Sequence, residues 1–137
     1  MKDENCLFCK IAAKKINAAI IFEDAHSIGF LDITPRAPGH TLVIPKYHAE
    51  ALPSLPDAEI SHLFEAVKSV DALLTGKLEP DGMTIGINQG PASGQEVAHL
   101  HVHLMPRWHS DKGGPIQSVV HNGSGEDFEK IVKKLIG

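Results

Sequence analysis

This 137-residue chain has no apolar stretch near the roughly 20 residues of a membrane-spanning helix, which excludes a helical anchor. Basic runs are equally scarce. They stop at pairs such as Lys14-Lys15 and Lys133-Lys134, and 13 Lys plus Arg against 17 Asp plus Glu leave a formal charge of −4. A polyanionic nucleic-acid groove is thereby not supported, whereas a small phosphorylated ligand is still compatible with the charge. The opening residues, Met1-Lys2-Asp3-Glu4-Asn5, are acidic where a secretory signal is basic and then apolar, so a cytoplasmic location is expected. No internal repeat or compositional break divides the chain, so residues 1–137 read as one domain. At 42% hydrophobic residues it is long enough to bury roughly two thirds of its unfolded surface without staples.

Cysteine is also scarce: there are two, placed together as Cys6-Leu7-Phe8-Cys9. A disulfide across so short a loop adds little to a reduced protein, which leaves a metal or redox role, or two ordinary thiols. Too little chain precedes Cys9 for the strand that a thioredoxin-like arrangement needs. Half of a tetrahedral zinc site fits better, its other ligands to come from the nine histidines.

Three of those histidines stand at strict alternation in His99-Leu100-His101-Val102-His103, inside an apolar run that continues Leu104-Met105-Pro106. On a strand, the imidazoles would share one face, about 6 to 7 Å apart, and Leu100, Val102 and Leu104 the other. The apolar face can bury against a core while the imidazole row looks into a polar cavity or onto a ligand. A solvated strand face is the plainer reading, but Thr, Lys and Glu are its usual residues. A three-histidine metal site is a second alternative.

The pattern predicts a short helix over 7–15, ended near Asn17, then a hairpin of strands over 18–23 and 27–31 turned at Asp24-Ala25. A loop with Pro35, Pro38 and Gly39 precedes a strand over 40–44 closed by Pro45. Ile60, Leu63, Phe64, Val67, Val70 and Leu74 follow helical spacing, with Ser54 as the expected cap and Gly76 near the end. A strand over 83–87 leads into the polar, glycine-containing stretch 88–95, which suits close approach to anions. A terminal helix is expected over 124–136. Five strands with one long helix indicate an α+β fold: an antiparallel sheet with helices on one face. Its open edge favours a homodimer.

These residues resemble the histidine triad superfamily of nucleotide hydrolases and transferases. The resemblance is carried by His99-Leu100-His101-Val102-His103-Leu104-Met105, Cys6-Leu7-Phe8-Cys9, Phe22-Glu23-Asp24, Phe30-Leu31-Asp32-Ile33, Gly39 to Lys46, Asn88 and Gly94-Gln95. It spans about residues 6–108, leaving a C-terminal tail and helix over 109–137. It implies a five-stranded antiparallel sheet with one long helix and short terminal helices, extended across a homodimer that binds a purine nucleotide and cleaves at its α-phosphate. By the same resemblance His101 is the nucleophile, His103 and the Gly94-Gln95 backbone hold phosphate oxygens, and Asp32 accepts from the ribose hydroxyls. Asn88 then supports the ribose-phosphate region, and Ile16, Phe30 and Ile33 form the slot for the base. Glu96 departs from the pattern, since many relatives carry Ser or Thr there; its carboxylate points away, is protonated, or serves the leaving group as general acid.

The resemblance to zinc-containing bacterial members also implies a structural Zn²⁺ held by Cys6, Cys9, His48 and His99. Arg107-Trp108 and the long tail are closer to the hydrolase-like branch than to the phosphoramidase branch. Three readings of function follow: a hydrolase of adenosine phosphoramidates or diadenosine polyphosphates, a nucleotide-binding regulatory module, and a three-histidine metallohydrolase. Against the last stands the better ligand set that Cys6, Cys9 and His48 provide.

Overall fold

The computed structural model describes residues 4–123 and 127–137. After the short helix α1 (Leu7–Ala12) come strands β1 (Ile20–Glu23), β2 (Ser27–Leu31) and β3 (Thr41–Pro45), the long helix α2 (Asp57–Leu78), strands β4 (Gly82–Gly86) and β5 (Val102–Arg107), and helix α3 (Phe128–Ile136). All strand pairings are antiparallel, in the order β1-β2-β3-β5-β4. No helix among the described residues is long and apolar enough to cross a membrane.

Local chemistry explains the first turn. The Asp24 carboxylate accepts from the backbone N–H groups of His26 and Ser27 at 2.8 and 2.7 Å, an Asx turn that reverses the chain between β1 and β2. Between β2 and β3 the loop is closed by Asp32 N–H donating to the His40 carbonyl at 2.9 Å. Beyond that loop β3 pairs with both β2 and β5, setting Leu42 opposite His103 and Val43 opposite Val102.

Period-two alternation divides the core between the two faces of the sheet. Val43, Leu100, Val102 and Leu104 join Leu63, Ala66, Val67, Val70 and Leu74 of α2 in one buried cluster. Leu42, Ile44, Ile28 and Phe30 join Cys6, Phe8, Cys9 and Ile11 around α1 in the other. The histidines alternate with Leu100, Val102 and Leu104 and so turn toward the α1 side. Gly29 lets β2 approach α2, since a Cβ there would stand 3.2 Å from a Val70 methyl.

Strands β1, β3 and β4 are offset from the sequence expectation by one or two residues, and four further boundaries differ for a local reason. The first helix stops at Ala12 rather than near Lys15, and Lys14 takes a positive φ of 62°. Ser54 does not cap α2: it lies in a 3₁₀ turn with its hydroxyl on the Ala51 carbonyl, and the helix starts after Pro56, whose carbonyl accepts from Glu59 and Ile60. The helix also runs through Gly76 to Leu78, ending on a left-handed Glu79. The cost of about 1 kcal/mol for a helical glycine is offset by the packing of buried Leu74 beside it. Finally, the β5 ladder begins only at Val102, so of the three histidines His103 alone lies within a paired strand. The expected start of the last helix at Ser124 lies outside the described residues; α3 begins at Phe128, capped by the Asp127 carboxylate.

Candidate functional site

Each of the three histidines meets a different neighbour, and those neighbours fix its protonation pattern. A carbonyl only accepts, so the 2.8 Å contact between His99 Nε2 and the Pro45 carbonyl places the His99 proton on Nε2 and leaves Nδ1 bare. His101 Nδ1 lies 2.7 Å from the His99 carbonyl, so the proton of His101 is on Nδ1 and Nε2 carries the free lone pair. His40 Nδ1 accepts from the Arg36 backbone N–H at 3.1 Å, so its Nε2–H donates to His103 Nδ1 at 2.9 Å. That leaves His103 with its proton on Nε2. One ring therefore presents a nucleophilic nitrogen and the adjacent ring an N–H donor, with centroids 5.0 Å apart.

Burial disfavours the charged form of His103 and His40. His101 is 6% exposed and packs edge-on against Phe8, centroid to centroid 5.1 Å. Burial, assisted by the neighbouring His101 and His40 rings, pushes the His103 pKa down to about 4. His40 is likewise lowered by burial, against the pull of Asp32 and with that of the Arg36 cation. A neutral imidazole is the form in which a lone pair can attack phosphorus.

His40 drew no role from the sequence, yet it is the buried partner of His103. It stands 3.6 Å from Asp32 Oδ2, and the Asp32, His40 and His103 side chains form one compact group. The signal was present in Gly39-His40 at the entry to β3, but only the β3–β5 register brings residue 40 beside residue 103. Burial raises the Asp32 carboxyl, but the Thr34 backbone N–H and hydroxyl, with His40 and His103, outweigh it and hold the group below its ordinary range.

Loop 88–97 is braced by Gln95. Its side chain accepts from Gly90 N–H at 2.7 Å and donates to the carbonyls of Glu50 and Val97. The backbone N–H groups of Gly94 and Gln95, expected to cradle phosphate, donate within the loop to the Pro91 and Gly90 carbonyls at 3.0 and 3.2 Å. Glu96 is exposed and Asn88 half-buried. Of the three residues expected at the base slot, Ile33 is 94% exposed and Ile16 38%, whereas Phe30 is 4% exposed with its ring edge-on to Phe8.

A second cluster lies behind the first. Cys6, Cys9, His48 and His99 bring four donor atoms within 4.8 Å of one another. His99 Nδ1 lies 3.3 Å from Cys6 Sγ, 3.5 Å from Cys9 Sγ and 3.2 Å from His48 Nδ1, and Cys9 Sγ is 3.3 Å from His48 Nδ1. Ligands around tetrahedral zinc sit about 3.3 to 3.8 Å apart, given Zn–S of about 2.3 Å and Zn–N of about 2.0 to 2.1 Å. The donor set fits zinc in a further respect: the bare Nδ1 of His99 faces into the cluster, its other nitrogen held by a backbone carbonyl. Cys6 additionally caps α1, its sulfur accepting from Cys9 N–H.

The family model described as the HIT domain matches residues 13–110. The adenosine 5'-monophosphoramidase HNT1 of Saccharomyces cerevisiae is 34% identical over 140 residues, covering 98% of this chain and 85% of that one. The crystal structure of a HIT family member from Bacillus subtilis superposes with a TM-score of 0.84 at 36% identity, covering 96% of this chain and 95% of that one. A zinc-bound histidine triad protein from Mycobacterium smegmatis superposes with a TM-score of 0.74 at 38% identity, covering 79% of this chain and 78% of that one.

Proposed function

Because this chain belongs to the HIT family, we propose that it is a nucleotide-binding hydrolase that cleaves at the α-phosphate of a purine nucleotide conjugate through a covalent nucleotidyl-His101 intermediate. The substrate class is an adenosine phosphoramidate or a diadenosine polyphosphate. The observation that carries the reading is the His101 ring, whose Nδ1–H donates to the His99 carbonyl and whose Nε2 lone pair is free. His101 Nε2 attacks the α-phosphorus; the N–P bond forms as the bond to the leaving group breaks, and the leaving atom departs with a proton given by Glu96. Water then attacks the phosphorus, passes its proton to the Glu96 carboxylate, breaks the N–P bond to release the mononucleotide and returns the lone pair to Nε2.

The other residues bind and orient. His103 Nε2–H donates to a phosphate oxygen, and its tautomer is held by His40. Asp32 accepts from ribose hydroxyls and Asn88 supports the ribose-phosphate region. Gly94 and Gln95 shape the phosphate loop, with the Gln95 side chain as its brace. Ile16 and Ile33 offer exposed apolar surface to the base, while Phe30 is buried against Phe8 and lends the slot support. Glu96 is the exposed acid nearest in sequence to the triad and serves the leaving group.

Cys6, Cys9, His48 and His99 hold a structural Zn²⁺. Four protein ligands leave no open position, so the ion would supply cohesion between α1, the segment after β3 and the start of the histidine run. The working unit is a cytoplasmic homodimer of a single 137-residue domain, the sheet continuing across its outer edge.

The test is intact-protein mass spectrometry after rapid quenching with an adenosine phosphoramidate. A transient adenylyl adduct in the wild type and none in His101→Ala supports the mechanism. No adduct and no AMP released, with AMP still bound, would replace the enzyme with a nucleotide sensor.

A further inference from the structure

Asp32 is committed on one oxygen and open on the other. Oδ1 accepts twice from Thr34, from its backbone N–H at 2.9 Å and from its hydroxyl at 3.1 Å. Oδ2 makes no hydrogen bond among the described residues and lies 3.6 Å from His40 Nε2, whose proton is already given to His103 Nδ1 at 2.9 Å. The carboxylate is 16% exposed at its side chain and the His40 side chain 4%, so the open oxygen stands at the boundary between solvent and the buried imidazole pair. A small swing of Oδ2 toward His40 would divide that N–H between carboxylate and His103, and loosen the ring that is to hold the phosphate. Whatever keeps Oδ2 off His40 keeps His103 aligned.

We propose that Thr34 is a positioning residue that commits Asp32 to a single free oxygen, for which the sugar hydroxyls of the ligand and the His40–His103 pair compete. Sugar hydroxyls that occupy Oδ2 leave the His40 N–H wholly to His103, so the ribose acts on turnover as well as on affinity. The inference rests on the nucleotide reading above and extends it from sugar binding to the chemical step. No bond is made or broken by Thr34 or Asp32; they act through His40.

The experiment compares an adenosine phosphoramidate with its 2',3'-dideoxy counterpart on wild type, Thr34→Val, Thr34→Ser and Asp32→Asn, with kcat and KM read separately. It is paired with ¹⁵N NMR of the His40 and His103 rings in the ligand-free proteins at one fixed pH. In the wild type the dideoxy compound should lower kcat by roughly 3- to 10-fold, the scale of one hydrogen bond, in addition to raising KM. The kcat ratio between the two compounds should shrink several-fold in Thr34→Val, return in Thr34→Ser and vanish in Asp32→Asn. The ligand-free ring resonances should move in Thr34→Val and Asp32→Asn and return to wild-type positions in Thr34→Ser. A dideoxy effect confined to KM, or a Thr34→Val protein with the wild-type kcat ratio, overturns the proposal while the hydrolase reading stands. If the wild type cleaves neither compound and forms no His101 adduct, the hydrolase reading fails instead. The ligand-free spectra then decide the positioning of Asp32 alone, and unmoved resonances overturn it.

Discussion

Gly39→Ala should destabilise this protein and mis-set its site, whereas Gly76→Ala should stabilise it. Gly39 holds a φ of +84° immediately before His40, and a left-handed alanine costs about 1–2 kcal/mol. Its new Cβ would press on a Leu78 methyl and stand 3.3 Å from the Pro106 ring. Leu78 is 41% exposed at the end of α2 and can yield, but Pro106 is buried in β5 and cannot, which adds overpacking of about 1–3 kcal/mol. The combined loss is about 2–5 kcal/mol, or roughly 6 to 20 °C in Tm for a chain of this size. Relief by backbone shift would carry His40 with it and lengthen the 2.9 Å contact to His103, so turnover should fall further than stability alone accounts for. Gly76, in contrast, lies inside α2 with no atom within 4 Å of an added Cβ, so alanine there should gain about 0.8–1 kcal/mol of helix propensity. Urea and thermal unfolding of the two variants give the comparison. Equal stability of Gly39→Ala and wild type, or equal losses in both variants, would refute the account of strain at residue 39.

On the proposal that the four-donor cluster holds one zinc ion per chain, Cys6→Ala or His48→Ala should lower bound zinc toward none, read by elemental analysis. A chelator should lower the Tm of wild type and leave that of the variants unmoved; stoichiometric zinc in either variant would exclude the assignment. Leu104→Ala, at a fully buried β5 position against α2, should cost about 2–5 kcal/mol in urea unfolding without altering zinc content. The pH dependence follows from His103, held at about 4 in the fold against an ordinary 6.5. The unfolded chain takes up its proton first as pH falls, so this group's contribution is full above pH 6.5 and is lost between about 6.5 and 4. His103→Gln should flatten that part of the stability-versus-pH curve, and an unchanged slope would contradict the burial of a neutral ring.

Much of the fold could be read from residue spacing. The alternation of His99, His101 and His103 with Leu100, Val102 and Leu104 separates a polar from an apolar side, and the helical repeat from Ile60 to Leu74 is amphipathic whatever it packs against. Asp24 sets the hairpin turn by a bond to residues two and three positions on. Such features depend on neighbours near in sequence, and the chain specifies them by itself. Element ends were less legible: Gly76 and Ser54 carry local preferences that the packing of α2 and the ring of Pro56 override.

Tertiary structure decided the chemistry of the site. Cys6 and His99 are 93 residues apart and meet only because α1 lies on the face of the sheet toward which the histidines turn. His40 is one of nine histidines, and although it lies in the Gly39–Lys46 stretch its role was not legible there: it becomes the partner of His103 through the register of β3 on β5. Which nitrogen carries the proton on His99, His101 and His103 is set by the carbonyls of Pro45 and His99 and by His40. Residue type offers two nitrogens of similar basicity; only a hydrogen-bond partner placed by the fold chooses between them.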